Sequence, residues 1–218
     1  MKLPCRLLFR VDALYAAGLL SWCLALAMGW SMMLAYGYRR EAAADVAPPS
    51  HWPANSQLPH SQGRDCLVLF VHPKCPCSQA TVAELEQLLA AFHARRPDST
   101  LELCVVATIP RTAEDSWAQT RLIQRSLRLA DAKLFLDRGG VEADRFGAQI
   151  SGTVLLFDAA GRQRYAGGVT ASRGQEGENA GSAALARLLA GEAPSTNPTL
   201  PAFGCRLVLE ACSECKSR

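Results

Sequence analysis

Two cysteines separated by a single residue, Cys75 and Cys77, have the clearest capacity for chemistry in this chain. They lie in a Lys-Cys-Pro-Cys-Ser turn. The turn follows an apolar run, residues 67–71, and precedes an amphipathic stretch, so a strand is expected to pass into a helix here, with Pro76 at the first helical position. Unpaired backbone N–H groups and the positive end of the helix dipole stabilise a thiolate and lower the pKa of a cysteine. The spacing therefore predicts Cys75 as an attacking thiolate and Cys77 as the resolving thiol that pairs with it.

The same two thiols admit a second interpretation, as ligands of a metal. Thiolate sulfur is a soft ligand that suits Cu(I). His72 lies three residues before Cys75 and supplies an imidazole beside the pair. Copper bound by Cys75, Cys77 and His72 is therefore the alternative to a site that works without a cofactor.

The cysteine count favours redox or metal chemistry over a disulfide scaffold. The chain has nine cysteines in 218 residues and is large enough to bury a core without such bridges. Cys5 and Cys23 fall in an apolar N-terminal stretch, which leaves an odd number in the rest of the chain. Cys104, inside a β-branched run, is expected to be a small core residue.

Two further groups of cysteines have open roles. Cys205 is expected either to pair with Cys66 as a structural clamp or to approach Cys75 as a resolving thiol. Cys212 and Cys215 form a C-x-x-C near the polar C-terminus, with no strand before it. A flexible pair of this kind is expected to have no fixed role.

The elements that must position these residues alternate along the chain. Apolar and β-branched runs predict four strands, at residues 67–71, 101–109, 133–137 and 153–157, and the turn at residues 158–161 predicts a fifth, at residues 163–167, that pairs with the fourth as a hairpin. Helical spacing predicts helices from the cysteine turn to residue 95 and at residues 115–130, 141–146 and 183–190. This order predicts an α/β fold, with a central mixed sheet and helices on both faces.

The N-terminal part of the chain predicts a membrane attachment. A short basic segment, residues 1–12, precedes residues 13–36, which carry no charged side chain and exceed the ~20 residues that a transmembrane helix needs. Residues 37–65 contain several prolines and are predicted to be an extended linker. Residues 66–191 form the predicted folded domain, and residues 192–218 form a tail that contains cysteines.

Charge and orientation set the expected location. Lys2, Arg6 and Arg10 precede the span, whereas Arg39 and Arg40 follow it. This difference favours an N-terminus on the inside and a soluble domain on the oxidising, periplasmic side of a bacterial inner membrane, crossed once. The net charge of +3 is spread along the chain, so nucleic acid is not an expected partner.

The order of elements and the position of the cysteine turn resemble the thioredoxin-like superfamily, in its membrane-anchored TlpA-like branch. The strings HPKCPCS, SGTVLLFD, GGVTASRG and FGC are similar to bacterial RedB-type proteins. The resemblance covers about two thirds of the chain. It implies thiol–disulfide exchange with exported thiol or disulfide proteins, together with a membrane electron donor or acceptor.

The resemblance also assigns positions in the site. Counted from Phe70, the family's nucleophile falls on Cys75 and its second cysteine on Ser78, one position after Cys77. A C-x-C disulfide would close a small, strained ring that oxidises other thiols readily. The family's cis-proline falls on Gly152, so Pro76, Gly152 and Thr153 are the expected substrate-facing residues. Sco-type copper proteins share the fold but resemble a C-x-x-x-C with a distant histidine, and this chain has no histidine after residue 93.

Overall fold

The chain begins with one long apolar helix. The computed structural model describes residues 5–38, 47–61, 63–97, 101–130, 132–192 and 199–207, with the backbone alone for residues 5–13. Helix α1 runs over Cys5–Gly37, and its part Leu14–Gly37 is long and apolar enough to cross a membrane, judged by length and composition. It is therefore a candidate transmembrane span. Residues Met1–Arg39 and Arg40–Arg218 form two separate units.

A mixed five-stranded sheet forms the framework of the second unit. Its strands are β1 (Asp65–Val71), β2 (Leu101–Ile109), β3 (Lys133–Arg138), β4 (Thr153–Phe157) and β5 (Gln163–Gly167). The strand order is β3-β2-β1-β4-β5. The β1–β2 and β2–β3 pairs are parallel, and the β1–β4 and β4–β5 pairs are antiparallel. All five predicted strands are confirmed: β1, β2, β4 and β5 are largely buried, whereas β3 lies at the edge of the sheet and is partly exposed.

Helices cover both faces of this sheet, as predicted. The helices are α2 (Ser78–Arg95), α3 (Arg121–Ser126), α4 (Val141–Arg145) and α5 (Ala180–Leu189). Apolar side chains of α2, α3 and α5 pack on one face, with alternate residues of β1 such as Leu67 and Leu69. The other face packs Val68 and Phe70 against Phe146, which follows α4.

Two predicted helices differ from the observed ones. The helix predicted at residues 115–130 is divided into a 3₁₀ helix, Asp115–Ala118, and α3. Thr120 separates them because its backbone is extended and its hydroxyl accepts the Ile123 N–H while donating to the Pro73 carbonyl. Helix α2 begins at Ser78 rather than at Pro76, since the N–H of Gln79 bonds the Pro76 carbonyl in a tighter turn at 3.3 Å.

The prediction of an extended linker is wrong for residues 47–61, which pack on the folded unit. Leu58 is buried, and the Trp52 ring meets Phe146 and Phe157 edge-on at 5.1 Å. The Ser56 hydroxyl also donates to the carboxylate of the buried Glu142 at 2.7 Å. Apolar side chains between the prolines gain burial against the face that carries α4, and this burial outweighs the extended preference of the prolines. Residues 39–46 of the predicted linker lie outside the described residues.

Candidate redox site

Cys75 lies in the turn that joins β1 to α2, at the carboxyl end of the central strand. Its N–H donates to the His72 carbonyl at 2.9 Å, which closes the turn. Its side chain is almost fully buried, with 2% exposed. The first residue of α2, Ser78, turns both its backbone N–H and its hydroxyl toward the Cys75 sulfur. The terminus of a helix therefore does point at this sulfur.

The environment of Cys75 favours a thiolate. Burial alone would raise the pKa of Cys75, but the hydroxyl and N–H of Ser78 and the N–H and thiol of Cys205 donate to the sulfur, and the pKa is lowered overall. The Cys205 N–H lies 3.4 Å from Cys75 Sγ. Hydrogen bonds to the charged form stabilise it in a buried place, where water does not. The direction agrees with the sequence prediction, although donors from a distant segment contribute as well as the helix terminus.

A chain of hydroxyl groups orients the Ser78 donor. The His72 N–H donates to Ser151 Oγ at 2.8 Å, and Ser151 Oγ lies 2.7 Å from Ser78 Oγ. Because Ser78 gives its proton to Cys75, Ser151 is the donor in the bond between the two serines. The buried serine pair thus aims one proton at the Cys75 sulfur.

Cys77 also contacts Cys75, but its own environment favours the neutral thiol. Burial and the charge of Cys75 raise the pKa of Cys77, and the Arg173 guanidinium opposes them through its charge and a hydrogen bond. Arg173 belongs to the glycine-rich loop between β5 and α5, where the N–H of Gly177 donates to Glu84 at 2.5 Å. The loop therefore brings a cation to the cysteine turn.

Cys205 lies at Cys75, not at Cys66. The Ser151 N–H donates to the Cys205 carbonyl at 2.8 Å, and the Leu207 N–H donates to the Gln149 carbonyl at 2.8 Å. Cys66 is near the start of β1, and at about 3.3 Å per residue it is well over 10 Å along the strand from the cysteine turn. A Cys66–Cys205 clamp is therefore wrong for this structure, and the described cysteines are free. Burial and the Cys75 thiolate raise the pKa of Cys205 to about 12.

The predicted substrate-facing residues have three different environments. Pro76 is exposed beside Cys75, and Thr153 is half-buried with its hydroxyl bonded to the Ile150 carbonyl at 2.7 Å. Gly152 is buried at φ +93°, and a Cβ there would lie 2.7 Å from Thr81 Oγ1. The position therefore accepts glycine only, both for its backbone conformation and for its space.

His72 is at the site but is not turned into a set of ligands. Burial and the charge of Lys74 lower the pKa of His72, and its ring meets Trp117 edge-on at 5.1 Å. Within the ranges that the structure describes, no three His, Cys, Asp or Glu side chains come together in a way that would hold a metal. The Cys212–Cys215 pair lies outside the described residues.

Sequence reasoning assigned no role in this site to three polar residues, Ser78, Ser151 and Arg173, although Ser78 stands at the position of the family's second cysteine. Ser78 had a local signal, because it stands three residues after Cys75 and side chains three apart on a helix are neighbours. Ser151 is 73 residues from its Ser78 partner, and Arg173 lies in a loop of no fixed spacing. No local pattern marks either of them.

Comparisons with known proteins show what the chain is similar to. No family model matches it, and no curated protein matches it. An uncharacterized conserved protein from Geobacillus kaustophilus is 17% identical with a TM-score of 0.51, over 69% of this chain and 80% of that one. This likeness shows a shared fold. A mixed sheet in the order β3-β2-β1-β4-β5, with a cysteine turn after its central strand, is the arrangement of thioredoxin-like folds. The fold is thioredoxin-like.

Thioredoxin-like proteins with a more informative description match less closely. A secreted disulfide oxidoreductase of Mycobacterium tuberculosis, described as homologous to Escherichia coli DsbE, is 18% identical with a TM-score of 0.40, over 60% of this chain and 84% of that one. A putative thioredoxin from Neisseria meningitidis is 16% identical with a TM-score of 0.40, over 58% and 73% of the two chains. These matches add no residue roles to the thioredoxin-like fold.

Proposed function

We propose that this chain is a membrane-anchored thiol–disulfide oxidoreductase whose Cys75 thiolate exchanges disulfides with exported proteins. One observation carries the proposal: a buried cysteine sulfur accepts hydrogen bonds from the N–H and hydroxyl at the start of α2 and from Cys205. These hydrogen bonds lower the pKa of Cys75, so its sulfur ionises more readily than an ordinary cysteine thiol, and the thiolate is the nucleophile in disulfide exchange.

The reaction of the proposed site is an exchange of sulfur partners. The Cys75 thiolate attacks one sulfur of a partner disulfide, a mixed disulfide forms, and the other partner sulfur leaves as a thiolate that takes a proton from solvent. A neighbouring thiol then displaces the bound partner sulfur. Cys77 and Cys205 both contact Cys75, so each is placed for this second step.

The proposed location follows from the candidate span in α1. Residues 13–36 hold the chain in a bacterial inner membrane, and the thioredoxin-like unit lies on the periplasmic side, where exported proteins and a membrane electron donor or acceptor meet it. The charge difference across the span supports this orientation.

The test is mixed-disulfide formation by the full-length chain in detergent with a small aromatic disulfide, 5,5′-dithiobis(2-nitrobenzoate). After a timed acid quench, we expect peptide mass spectrometry to find Cys75 either as the adduct or in the disulfide that replaces it, and neither product in Cys75→Ser. Cys104→Ser, a change at a buried cysteine away from the turn, is the matched control and should keep these products. An unreactive Cys75 would overturn the proposal.

Copper titration of the reduced chain separates the metal-binding alternative from this function. Tight stoichiometric Cu(I) binding that needs Cys75, Cys77 and His72, with no exchange activity, would favour copper delivery. Weak binding together with an active Cys75 would favour exchange. A chain that does neither would be a non-catalytic adaptor with a thioredoxin-like fold.

A further inference from the structure

A C-terminal segment of the chain, residues 199–207, is fitted against the redox site; we call it the tail segment. The Leu200 N–H donates to the Ala166 carbonyl on β5 at 2.9 Å. Further along, the Ser151 N–H donates to the Cys205 carbonyl. Phe203, which lies between these two hydrogen bonds in the chain, is buried. Hydrogen bonds on both sides of Cys205 therefore hold its backbone in place.

Glycines make room for the tail segment where it passes the domain. A Cβ at Gly204 would overlap the Ser151 carbonyl oxygen, and a Cβ at Gly167 would overlap the Leu200 carbonyl oxygen. Both contacts are backbone against backbone, so a side chain at either glycine would force the two segments apart. The close approach of the tail segment thus depends on particular residues of both partners.

Within the cysteine turn, the residue that donates hydrogen bonds to the Cys75 sulfur is a serine, Ser78, rather than a second cysteine. Ser78 is the first residue of α2. Cys77 also contacts Cys75, but a disulfide between two cysteines separated by one residue would close a small, strained ring. Cys205 reaches the same sulfur from the tail segment, with its N–H 3.4 Å away and its thiol in contact.

We infer that Cys205, rather than Cys77, is the thiol that resolves mixed disulfides formed on Cys75, so that the oxidised chain carries a Cys75–Cys205 disulfide. This inference rests on the proposed function. It adds a catalytic residue supplied by a segment 130 residues away from the cysteine turn.

The electrons balance in two steps. The Cys75 thiolate attacks a partner disulfide R–S–S–R′, forms Cys75–S–S–R and releases R′–S⁻, which is protonated by solvent. Cys205 then loses its proton, its sulfur attacks Cys75 Sγ, the disulfide bond between Cys75 Sγ and the sulfur of R breaks, and R–S⁻ leaves and takes up the proton as R–SH. The chain loses two electrons to the partner, and a dithiol protein restores both thiols by the reverse exchange.

The charge on Cys75 determines the order of the two steps, because it controls the pKa of Cys205. While Cys75 is a thiolate, burial, the donated hydrogen bond and the Cys75 charge raise the pKa of Cys205 to about 12, and Arg173 opposes them. A disulfide at Cys75 is neutral. The hydrogen bond to the Cys75 thiolate and the charge of that thiolate therefore no longer raise the pKa of Cys205, while the charge of Arg173 still lowers it. Cys205 therefore gains nucleophilicity only after Cys75 has reacted.

The test follows the fate of the adduct on Cys75 in the full-length chain in detergent, with Cys5, Cys23, Cys212 and Cys215 changed to serine. With 5,5′-dithiobis(2-nitrobenzoate), we expect Cys77→Ser to lose the adduct and form a Cys75–Cys205 disulfide, seen by peptide mass spectrometry. We expect the adduct to persist at least about ten times longer in Cys205→Ser.

The outcomes separate this inference from the function on which it rests. An adduct that disappears equally fast in Cys205→Ser, with a Cys75–Cys77 disulfide as product, overturns the role of Cys205 and keeps Cys75 as the nucleophile. An adduct that never forms on Cys75 in any variant overturns the proposed function itself.

Two further variants keep the test decisive if Cys205→Ser loosens the tail segment. Gly204→Ala leaves every thiol in place and should slow resolution several-fold by displacing the segment, whereas Gly29→Ala, where a Cβ meets no atom within 4 Å, should not. Ser78→Cys places a thiol at the facing position and should divert the disulfide from Cys205 to residue 78. A resolution rate unchanged by Gly204→Ala, with a Cys75–Cys77 disulfide as the product, would contradict the inference.

Discussion

Three cysteines of this chain are equally buried and differ in almost everything else. Cys66 and Cys104 lie on β1 and β2 with 0% and 2% of their surfaces exposed, and Cys75 lies just after β1 with 2% exposed. Burial raises the pKa of Cys66 and of Cys104 to about 12; the charge of Lys133 opposes this effect and that of Glu102 adds to it. The pKa of Cys75 is lowered, although burial acts on it in the same direction.

The difference shows that hydrogen-bond donors, and not exposure, lower the pKa of a cysteine in this fold. The core around Cys66 and Cys104 is apolar, so nothing replaces the water that a thiolate needs. At Cys75 the end of the strand leaves the sheet, and polar groups of α2 and of the tail segment take the place of that water. The carboxyl end of the central strand thus differs chemically from the middle of the sheet at the same degree of burial.

Alkylation rates give the largest test of this comparison. In the reduced full-length chain at pH 7, we expect iodoacetamide to modify Cys75 at least about 100-fold faster than Cys66 or Cys104. The pKa of Cys75 is lowered and that of the other two is raised, so that Cys75 carries a much larger thiolate fraction. Timed quenching and peptide mass spectrometry measure the three rates together. Equal rates would mean that burial, and not the donors, controls reactivity.

Removing one donor should move Cys75 part of the way toward the core cysteines. Ser78→Ala loses the hydroxyl that donates to Cys75, so the pKa of Cys75 rises and its alkylation at pH 7 slows by about tenfold, the effect of one hydrogen bond to a charged group. Ser126→Ala, at a buried serine that bonds the Leu122 carbonyl of its own helix, is the matched control. A pH profile of alkylation that does not shift would contradict the role of the hydroxyl.

The raised pKa values of the core cysteines, Cys66 and Cys104, should lower the free energy of unfolding at alkaline pH. A thiol whose pKa is raised on folding contributes stability in full below its unfolded value of 9.0, and that contribution is lost as the pH rises toward about 12. For Cys104 this loss is about 1 kcal/mol between pH 9 and pH 10. We expect Cys104→Ala to lose about that much less stability over this interval, measured by urea unfolding, and Cys23→Ala to match the parent chain. Parallel pH curves for all three chains would show that the core thiol ionises as easily in the folded state.

The smallest effect concerns the cation beside the turn. Arg173 lowers the pKa of Cys77, so Arg173→Gln should raise it and slow alkylation of Cys77 at pH 8 by about threefold, equivalent to half a pKa unit. Arg121→Gln, at an exposed arginine of α3, should leave the rate as it is. An identical change in both variants would indicate a general charge effect in place of a local one.

Sequence reasoning succeeded where the signal was local. Four apolar runs and one turn predicted five strands, and the order of strand, cysteine and helix predicted that Cys75 stands just before the start of a helix, because neighbouring residues create both features. It was wrong where a contact across the fold decided the outcome. Thr120 bonds the Pro73 carbonyl and divides a predicted helix, and Glu142 holds Ser56 in a segment that was predicted to be a linker.

The sequence alone determined that this chain places a cysteine at the junction of a central strand and a helix. It also determined that an apolar segment long enough to cross a membrane precedes this cysteine in the sequence. Only the tertiary structure decided which thiols meet that cysteine. Cys205, Ser151 and Arg173 reach the site through chain reversals whose geometry depends on the whole sheet, and no residue spacing encodes it. The reason is physical: a strand or a helix results from residues a few positions apart, whereas the solvation of a buried sulfur results from whatever the completed fold brings against it.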